Sequence, residues 1–358
     1  MPLSSKIADA LQIAGLPALT SPEFDVKELG EGAWHIAYLL QLADGRQMVL
    51  RFQKEESYCK PLRYDEKLFR SEYGAQQLYY AYANKVQPGV CPEDFFYHVS
   101  EHLTFTIESY AGPTVQLSAL DTEGAYEVGK QIGVYFRAVD GVPVEVQGFG
   151  FLEWDGEKIH GAAPGDAHAN LREEIAEYRE ELQALLDSEL SFARDAVLRT
   201  FEGVAANRLT DDELIVLTNR DLSPENLVLA EGRVRIIDPL PLAYSNMVFA
   251  GNFLNCYRNL FPSFHKAPRY ERHNFHLYRT QLTAIADGFL DAYSDGDLER
   301  RKRINGEHFF MLLSLVYRHY SLLQQQDLNM ETTIRYGTRE AIAERLPVLL
   351  QSLECFEL

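Results

Sequence analysis

Two carboxylates and a carboxamide, Asp221, Asn226 and Asp238, bracket one short stretch of chain. It runs Leu217-Thr-Asn-Arg-Asp-Leu-Ser-Pro-Glu-Asn226 and continues Leu-Val-Leu-Ala-Glu-Gly-Arg-Val-Arg-Ile-Ile-Asp238-Pro. The run Asp212 to Leu217 is β-prone, the polar stretch after it reads as an irregular loop, and two apolar runs flank Glu231-Gly232, a two-residue hairpin turn. Counting outward from that turn sets Ala230 opposite Arg233 and brings Glu225 and Asn226 opposite Asp238 and Ile237. Asn226 and Asp238 then converge at the open end. A carboxylate and an amide oxygen held together suit Mg²⁺, which takes few protein ligands and keeps the rest of its octahedron for water and phosphate oxygens. Asp221, at the start of the loop, is left over. Beside a transferred phosphoryl group it can orient an acceptor hydroxyl and take its proton, so the chemistry this set suits is phosphoryl transfer. Taken one at a time, each residue also has the plainer reading of a turn former or cap.

Asp221, four residues, Asn226 and then Ile-Ile-Asp238 together resemble the catalytic loop and metal-binding aspartate of the protein-kinase-like fold. The Asp238-Pro239 pair and the modest length point to its aminoglycoside phosphotransferase and choline kinase branch. The resemblance implies an α+β fold of two lobes, a small antiparallel-sheet N-lobe over residues 1–110 and a larger, mainly helical C-lobe over 111–358. It implies Asp221 as catalytic base and Asn226 and Asp238 as ligands of Mg²⁺, with ATP or GTP as co-substrate. Asn219 stands where the branch usually has a His that braces the loop. Ala250 or its neighbour stands where a second aspartate is usual, with Asn252 as the nearby substitute. The match spans about residues 24 to 255.

The elements that must position this set lie upstream. Phe24 to Leu29 and His35 to Leu42 read as strands around Gly30-Glu-Gly32-Ala-Trp-His35, and Asp44-Gly45 turns the chain into the strand Gln47-Met-Val-Leu-Arg51-Phe52. Gly30 and Gly32 let a backbone approach phosphates without interference from Cβ, or they simply serve an ordinary turn. Arg51 takes the position where kinase-like proteins place a phosphate-contacting lysine. Its guanidinium pairs with phosphate oxygens and with a carboxylate. That partner is expected to be Glu72, on a helix through Phe69 to Tyr80, although an exposed helix glutamate is the commoner fate. By the resemblance, Leu103 to Pro113 is the last N-lobe strand entering the interlobe hinge. Ile107 then guards the pocket, and backbone groups of Glu108 and Tyr110 bind the nucleobase edge.

Beyond the hinge, a helix starting near Thr122 and the Gln147-Gly-Phe-Gly150 segment follow the branch, with Arg137 near a His position and given no catalytic role. Glu153, Trp154 and Asp155 lie on the expected acceptor side. They either read a polar cation, with the indole as platform, or form an exposed acidic turn. Helical patterns cover Ala167 to Leu190, His273 to Tyr293 and Phe309 to Gln325, and the aromatics Tyr257, Phe261, Phe264, Tyr270, Tyr278, Tyr317 and Tyr320 read as core. Arg300 to Arg303 reads as a solvated basic cluster between helices.

With 358 residues the chain exceeds the size of one core and is expected to divide into lobes. The net charge of -19 argues against a nucleic-acid partner and fits a cationic small-molecule acceptor such as an aminoglycoside or choline, or merely a soluble acidic surface. No apolar run is long enough to span a bilayer, no export signal is read at the N-terminus, and Cys59, Cys91, Cys256 and Cys355 show neither metal spacing nor a disulfide framework. A cytoplasmic enzyme is expected, with no membrane partner. No Walker loop and no His-Glu-x2-His metal motif occurs. The competing readings are a nucleotide-binding regulator or scaffold with little catalysis and, less favoured, a protein kinase.

Overall fold

The β-prone runs around the glycine turn are strands in the computed structural model, which describes residues 2–21, 25–32, 34–57, 60–208 and 213–358. Phe24, Ala33, Cys59 and Asp212 lie outside those residues. Strand β1 (Val26–Glu31) pairs antiparallel with β2 (His35–Gln41), which turns into β3 (Gln47–Gln53). Strand β3 pairs with β5 (Phe105–Ser109), whose far edge takes β4 (Phe95–His98), giving a sheet ordered β1-β2-β3-β5-β4. Strand side chains alternate between faces. One face carries Leu40, Leu50, Phe52, Phe105 and Ile107 against Ile7 and Leu11 of α1 (Leu3–Ile13), forming the N-lobe core. The other presents Arg51 and, across the ladder, Ala37 and Thr106 toward α2 (Glu66–Val86). Asp65 caps α2 by accepting a hydrogen bond from the Leu68 N–H.

The crossing to the C-lobe is tied to the predicted catalytic hairpin. Strands β9 (Leu227–Ala230) and β10 (Arg233–Ile236) pair in the expected register, Ala230 opposite Arg233, through a turn with φ 54° at Glu231 and 73° at Gly232. The Val115 N–H donates to Leu227 O (2.7 Å) and Arg235 Nη1 to Ala111 O (2.9 Å), so the hinge behaves as a third partner of this hairpin.

A four-stranded sheet, β6 (Phe149–Trp154), β7 (Ile159–Ala163), β8 (Ile215–Asn219) and β11 (Pro241–Ser245) in the order β8-β11-β6-β7, backs the loop. The C-lobe helices are α3 (Thr122–Val139), α4 (Ala167–Leu186), α5 (Arg194–Asn207), α6 (Asn246–Asn255), α7 (Arg279–Ser294), α8 (Leu298–Gln324) and α9 (Arg339–Glu354), with shorter turns between. Helices α3 and α7 touch backbone to backbone. A Cβ on Gly129 would fall 1.8 Å from Ile285 O, and one on Gly288 2.0 Å from Tyr126 O.

Three expectations change. The helix expected from His273 begins at Arg279, because Asn274 adopts φ 51° and a 3-10 turn, Phe275–Tyr278, intervenes. The helix expected from Phe309 begins at Leu298, capped by Asp297. It therefore absorbs Arg300 to Arg303. These are not a solvated cluster between helices, since Arg300 pairs with Asp140 (2.5 Å), Arg301 with Asp291 (2.5 Å) and Arg303 with Glu213. Tyr257, Phe261 and Phe264 are buried in the C-lobe cores, and Tyr270, Tyr278, Tyr317 and Tyr320 pack against them. Among the described residues no helix is long and apolar enough to cross a membrane.

Candidate active site

The loop from β8 to β9 is held by its own polar side chains. Asn219, the last residue of β8, accepts hydrogen bonds at Oδ1 from the Asp221 N–H (3.0 Å) and the Leu240 N–H (2.9 Å), clamping the loop to the start of β11. An asparagine thus makes the brace at this position. Asn252 adds a long contact, donating from Nδ2 to Arg220 O (3.4 Å). Pro224–Asn226 forms a 3-10 turn, after which the Ile237 N–H bonds to Asn226 O (3.0 Å) and extends the hairpin to the edge of Asp238.

Asp221, Asn226 and Asp238 meet at this end. Asn226 Nδ2 reaches both Asp221 O (3.4 Å) and Asp238 O (3.5 Å), and among the described residues its Oδ1 accepts no hydrogen bond. Asp238 is exposed and adopts φ 47°, a left-handed backbone that an L residue keeps only where its surroundings enforce it. A carboxylate and an amide oxygen are hard donors, and two of them fit a Mg²⁺ ion whose other ligands come from phosphate and water. Among the described residues no cluster of three or more His, Cys, Asp or Glu is placed for a metal. Burial, then the charges of Asp238 and Glu225, raise the Asp221 carboxyl above the usual range.

Arg51 stands behind this set, and its carboxylate partner is Glu108. Nη1 lies 2.5 Å from Glu108 Oε1, with the two residues 9% and 1% exposed. Burial opposes the charge on Arg51, but Glu108 and Asp238 outweigh it and keep the guanidinium protonated. Burial raises the Glu108 carboxyl, and Arg51 offsets part of that rise. The pair continues as a chain of hydrogen bonds. Tyr80 Oη donates to Glu108 Oε2 (3.1 Å) and accepts from the Asp238 N–H (3.0 Å) and from Gln76 Nε2 (3.1 Å). Among the described residues Thr106 Oγ1, beside Arg51 on this face, is a buried polar atom without a hydrogen-bond partner, and Arg51 Nη1 meets Glu108 as an ion pair.

Glu72 is not the partner expected for Arg51. It is exposed and makes no ion pair among the described residues, while crowding by protein atoms and the charge of Asp238 raise its carboxyl to about 7. The hinge assignments shift as well. Ile107 packs on the far sheet face against α1 rather than guarding a pocket, because strand alternation puts Thr106 and Glu108 on the Arg51 face. The Tyr110 N–H donates to Gln47 O (3.0 Å) and is spent on the sheet.

Gly30 adopts φ 148° with open space where a Cβ would stand, and the Gly32 N–H closes the turn onto His35 O (2.9 Å). Two residues the sequence reading passed over sit here. His35 Nε2 and Tyr73 Oη share a hydrogen bond of 2.7 Å, and burial lowers the imidazole to about 4, so it is neutral at pH 7. Arg272, from the C-lobe, donates to Glu31 O at 3.0 Å and ties the glycine turn across the cleft. Glu225 is engaged too, 2.8 Å from Arg269 Nη2 and 2.5 Å from His273 Nε2. Burial would raise its carboxyl, but those partners outweigh it and hold it low. Helical spacing was the available signal for Gln76 and Tyr80, which follow Glu72 at one-turn intervals; no local signal marked Arg272.

Glu153, Trp154 and Asp155 are spent on α2 and on their own turn. Glu153 pairs with Lys67 (2.9 Å), the Trp154 N–H donates to Ser71 Oγ (2.9 Å) beneath the Arg70 guanidinium, and Asp155 Oδ1 accepts from the Glu157 and Lys158 N–H groups. Glu153 and Trp154 therefore dock the β6-β7 hairpin on α2, and Asp155 shapes its turn.

No protein-family profile and no curated relative matches this chain. Solved structures do. A thermostable mutant of aminoglycoside phosphotransferase APH(4)-Ia, in a ternary complex with ADP and hygromycin B, aligns at a TM-score of 0.54 and 15% identity over 96% of this chain and 97% of its own. A candidate fructosamine-3-kinase from Thermobifida fusca aligns at 0.53 and 13% identity, covering 98% and 99%. The ethanolamine kinase of Plasmodium vivax aligns at 0.50 and 13% identity, covering 98% and 89%. The small antiparallel-sheet lobe, the helical lobe and these alignments together show that the chain has the two-lobed protein-kinase-like fold in the form shared by aminoglycoside phosphotransferases and ethanolamine kinases.

Proposed function

We propose that the protein is a small-molecule O-phosphotransferase that moves the γ-phosphoryl group of ATP or GTP to an acceptor hydroxyl. The convergence of Asp221, Asn226 and Asp238 beside the buried Arg51 carries this reading. Asp221 takes the hydroxyl proton, and the raised proton affinity that burial gives its carboxyl suits a base. Asn226 and Asp238 hold Mg²⁺, which when bound neutralises charge on the phosphoryl group. Arg51, oriented by Glu108, faces the phosphate oxygens, and the turn at Gly30 and Gly32 lays backbone over them. The hinge roles move by one residue, with Glu108 behind the nucleobase and the Ser109 carbonyl and Ala111 N–H along its edge, since the Ser109 N–H and the Ala111 carbonyl are bonded to Asp94 and Arg235. The boundary between a nucleotide-binding lobe and an acceptor-binding lobe falls near residue 110. The acceptor is a hydroxylated antibiotic or metabolite, handled in the cytoplasm.

The regulator reading is motivated by Asn219, which stands where the branch usually has His, and by Arg51, which stands where kinase-like proteins place Lys. Because Asn219 itself supplies two hydrogen bonds to the loop, that substitution does not favour it. The test is Asp221→Asn, with Mg·ATP and a pool of hydroxylated compounds analysed by mass spectrometry. Transfer should fall by roughly 10²- to 10⁴-fold while nucleotide binding is kept. Turnover at the wild-type rate would remove Asp221 from the role of base.

A further inference from the structure

The pocket beside the base narrows the acceptor class. Among the described residues that line it, Arg220 and Asp221 are the only charged ones; Asn252, Phe249 and Cys256 complete the wall near them. Arg220 is exposed, yet it is not loose. Its N–H donates to Leu240 O (2.9 Å), its carbonyl receives the Asn252 amide, and its guanidinium carbon stands 5.8 Å from the centre of the Phe151 ring. No carboxylate among the described residues pairs with it. The acids nearby in the fold are committed, Glu153 to Lys67 and Glu225 to Arg269. Phe151 and Leu240, which flank Arg220, remain 45% and 42% exposed.

With Asp221 reserved for the hydroxyl proton, the pocket offers a cation, an amide and no second anion among its described lining, and Phe151 and Leu240 form an apolar shelf beside the cation, outside that lining. We infer that the acceptor is a hydroxyl compound carrying a carboxylate or phosphate group, whose anion is bound by Arg220 and whose carbon frame rests on Phe151 and Leu240. An ammonium acceptor would meet a like charge there, whereas the planar guanidinium fork matches both oxyanions. This inference rests on the phosphotransferase reading and narrows it.

The experiment measures binding and turnover separately. Gluconate and glycerol 3-phosphate, against choline and kanamycin, are titrated calorimetrically into the protein loaded with Mg²⁺ and a non-hydrolysable ATP analogue, then offered with Mg·ATP. Wild type, Arg220→Gln and Arg220→Lys are compared. One or both anionic compounds should bind, and the better one identifies the anion. Arg220→Gln should weaken that binding about 10- to 100-fold, the range of a lost charge-assisted hydrogen bond, with Arg220→Lys intermediate and nucleotide affinity unchanged. Preference for choline or kanamycin, anion binding indifferent to Arg220→Gln, or no binding of either anion to the folded, nucleotide-loaded protein would each overturn the inference. An anion bound through Arg220 yet never phosphorylated, with Mg·ATP bound, would instead defeat the phosphotransferase reading and leave an anion site.

Discussion

Arg51 and Glu108 lost their water together, so each depends on the other. Removing one leaves a buried charge without compensation, at a cost on the order of 3–5 kcal/mol. Glu108→Gln is therefore expected to lower stability by about that much in denaturant unfolding and to weaken nucleotide binding in a titration. Glu72→Gln breaks no ion pair among the described residues and removes a carboxyl that the fold disfavours when charged, so it should not lower stability at neutral pH. The reverse ranking would restore the Arg51 to Glu72 pair that the sequence suggested. Glu72 has its own pH signature. Its carboxyl sits at about 7 in the folded protein against 4.5 ordinarily, so the native state binds the proton more tightly than the unfolded chain. The stability this contributes is present in full below pH 4.5 and is lost as pH rises through 7. Calorimetric melting should show the wild type losing stability relative to Glu72→Gln across that window, and parallel curves would contradict the shift.

At the scale of elements, the β8 to β9 loop and the β9-β10 hairpin act as one unit. The hairpin turn needs left-handed backbone at Glu231 and Gly232, sets the register, and so delivers Asn226 and Asp238 to one end. Asn219 then ties Asp221 to β11. Asn219→Ala strips two N–H groups of their acceptor, at roughly 1–3 kcal/mol for each that stays buried and unpaired. It should also displace the base, and catalysis is steeply sensitive to such misplacement. The expected outcome is a fall in kcat of tenfold or more with nucleotide Kd nearly unchanged, measured by steady-state kinetics and equilibrium titration. An unchanged kcat would show that the loop holds its shape without this brace. The hairpin was legible because turn chemistry and apolar runs are local. The role of Asn219 was not, because its second partner, Leu240, belongs to a strand whose pairing with β8 the sequence does not announce.

At the scale of the whole molecule, contacts between lobes decide how the cleft is held. Arg272 reaches Glu31 O, Lys60 pairs with Glu331 (3.1 Å), and the β6-β7 hairpin grips α2 through Lys67 and Ser71. Arg272→Ala should release the glycine turn and weaken nucleotide binding by roughly 2- to 10-fold, the range for one exposed hydrogen bond. Faster amide exchange at residues 30–32 would accompany it. Unchanged exchange there would mean that the turn keeps its shape without Arg272.

The chain alone determined what depends on neighbours in sequence: the strands around the glycine turn, the capped helix α2, the hairpin register, and through it the meeting of Asn226 with Asp238. Tertiary structure decided which side chains become partners across elements. Two glutamates were available to Arg51, and the choice fell to Glu108 because β5 lies beside β3 in a register that turns residues 106 and 108 toward the cleft and residue 107 away. A shift of one residue in such a pairing reverses every side chain, and the pairing itself joins segments some fifty residues apart, so periodicity within either strand carries no information about it. For the same reason Glu153 and Trp154 looked free to meet a ligand until α2 was found packed against them.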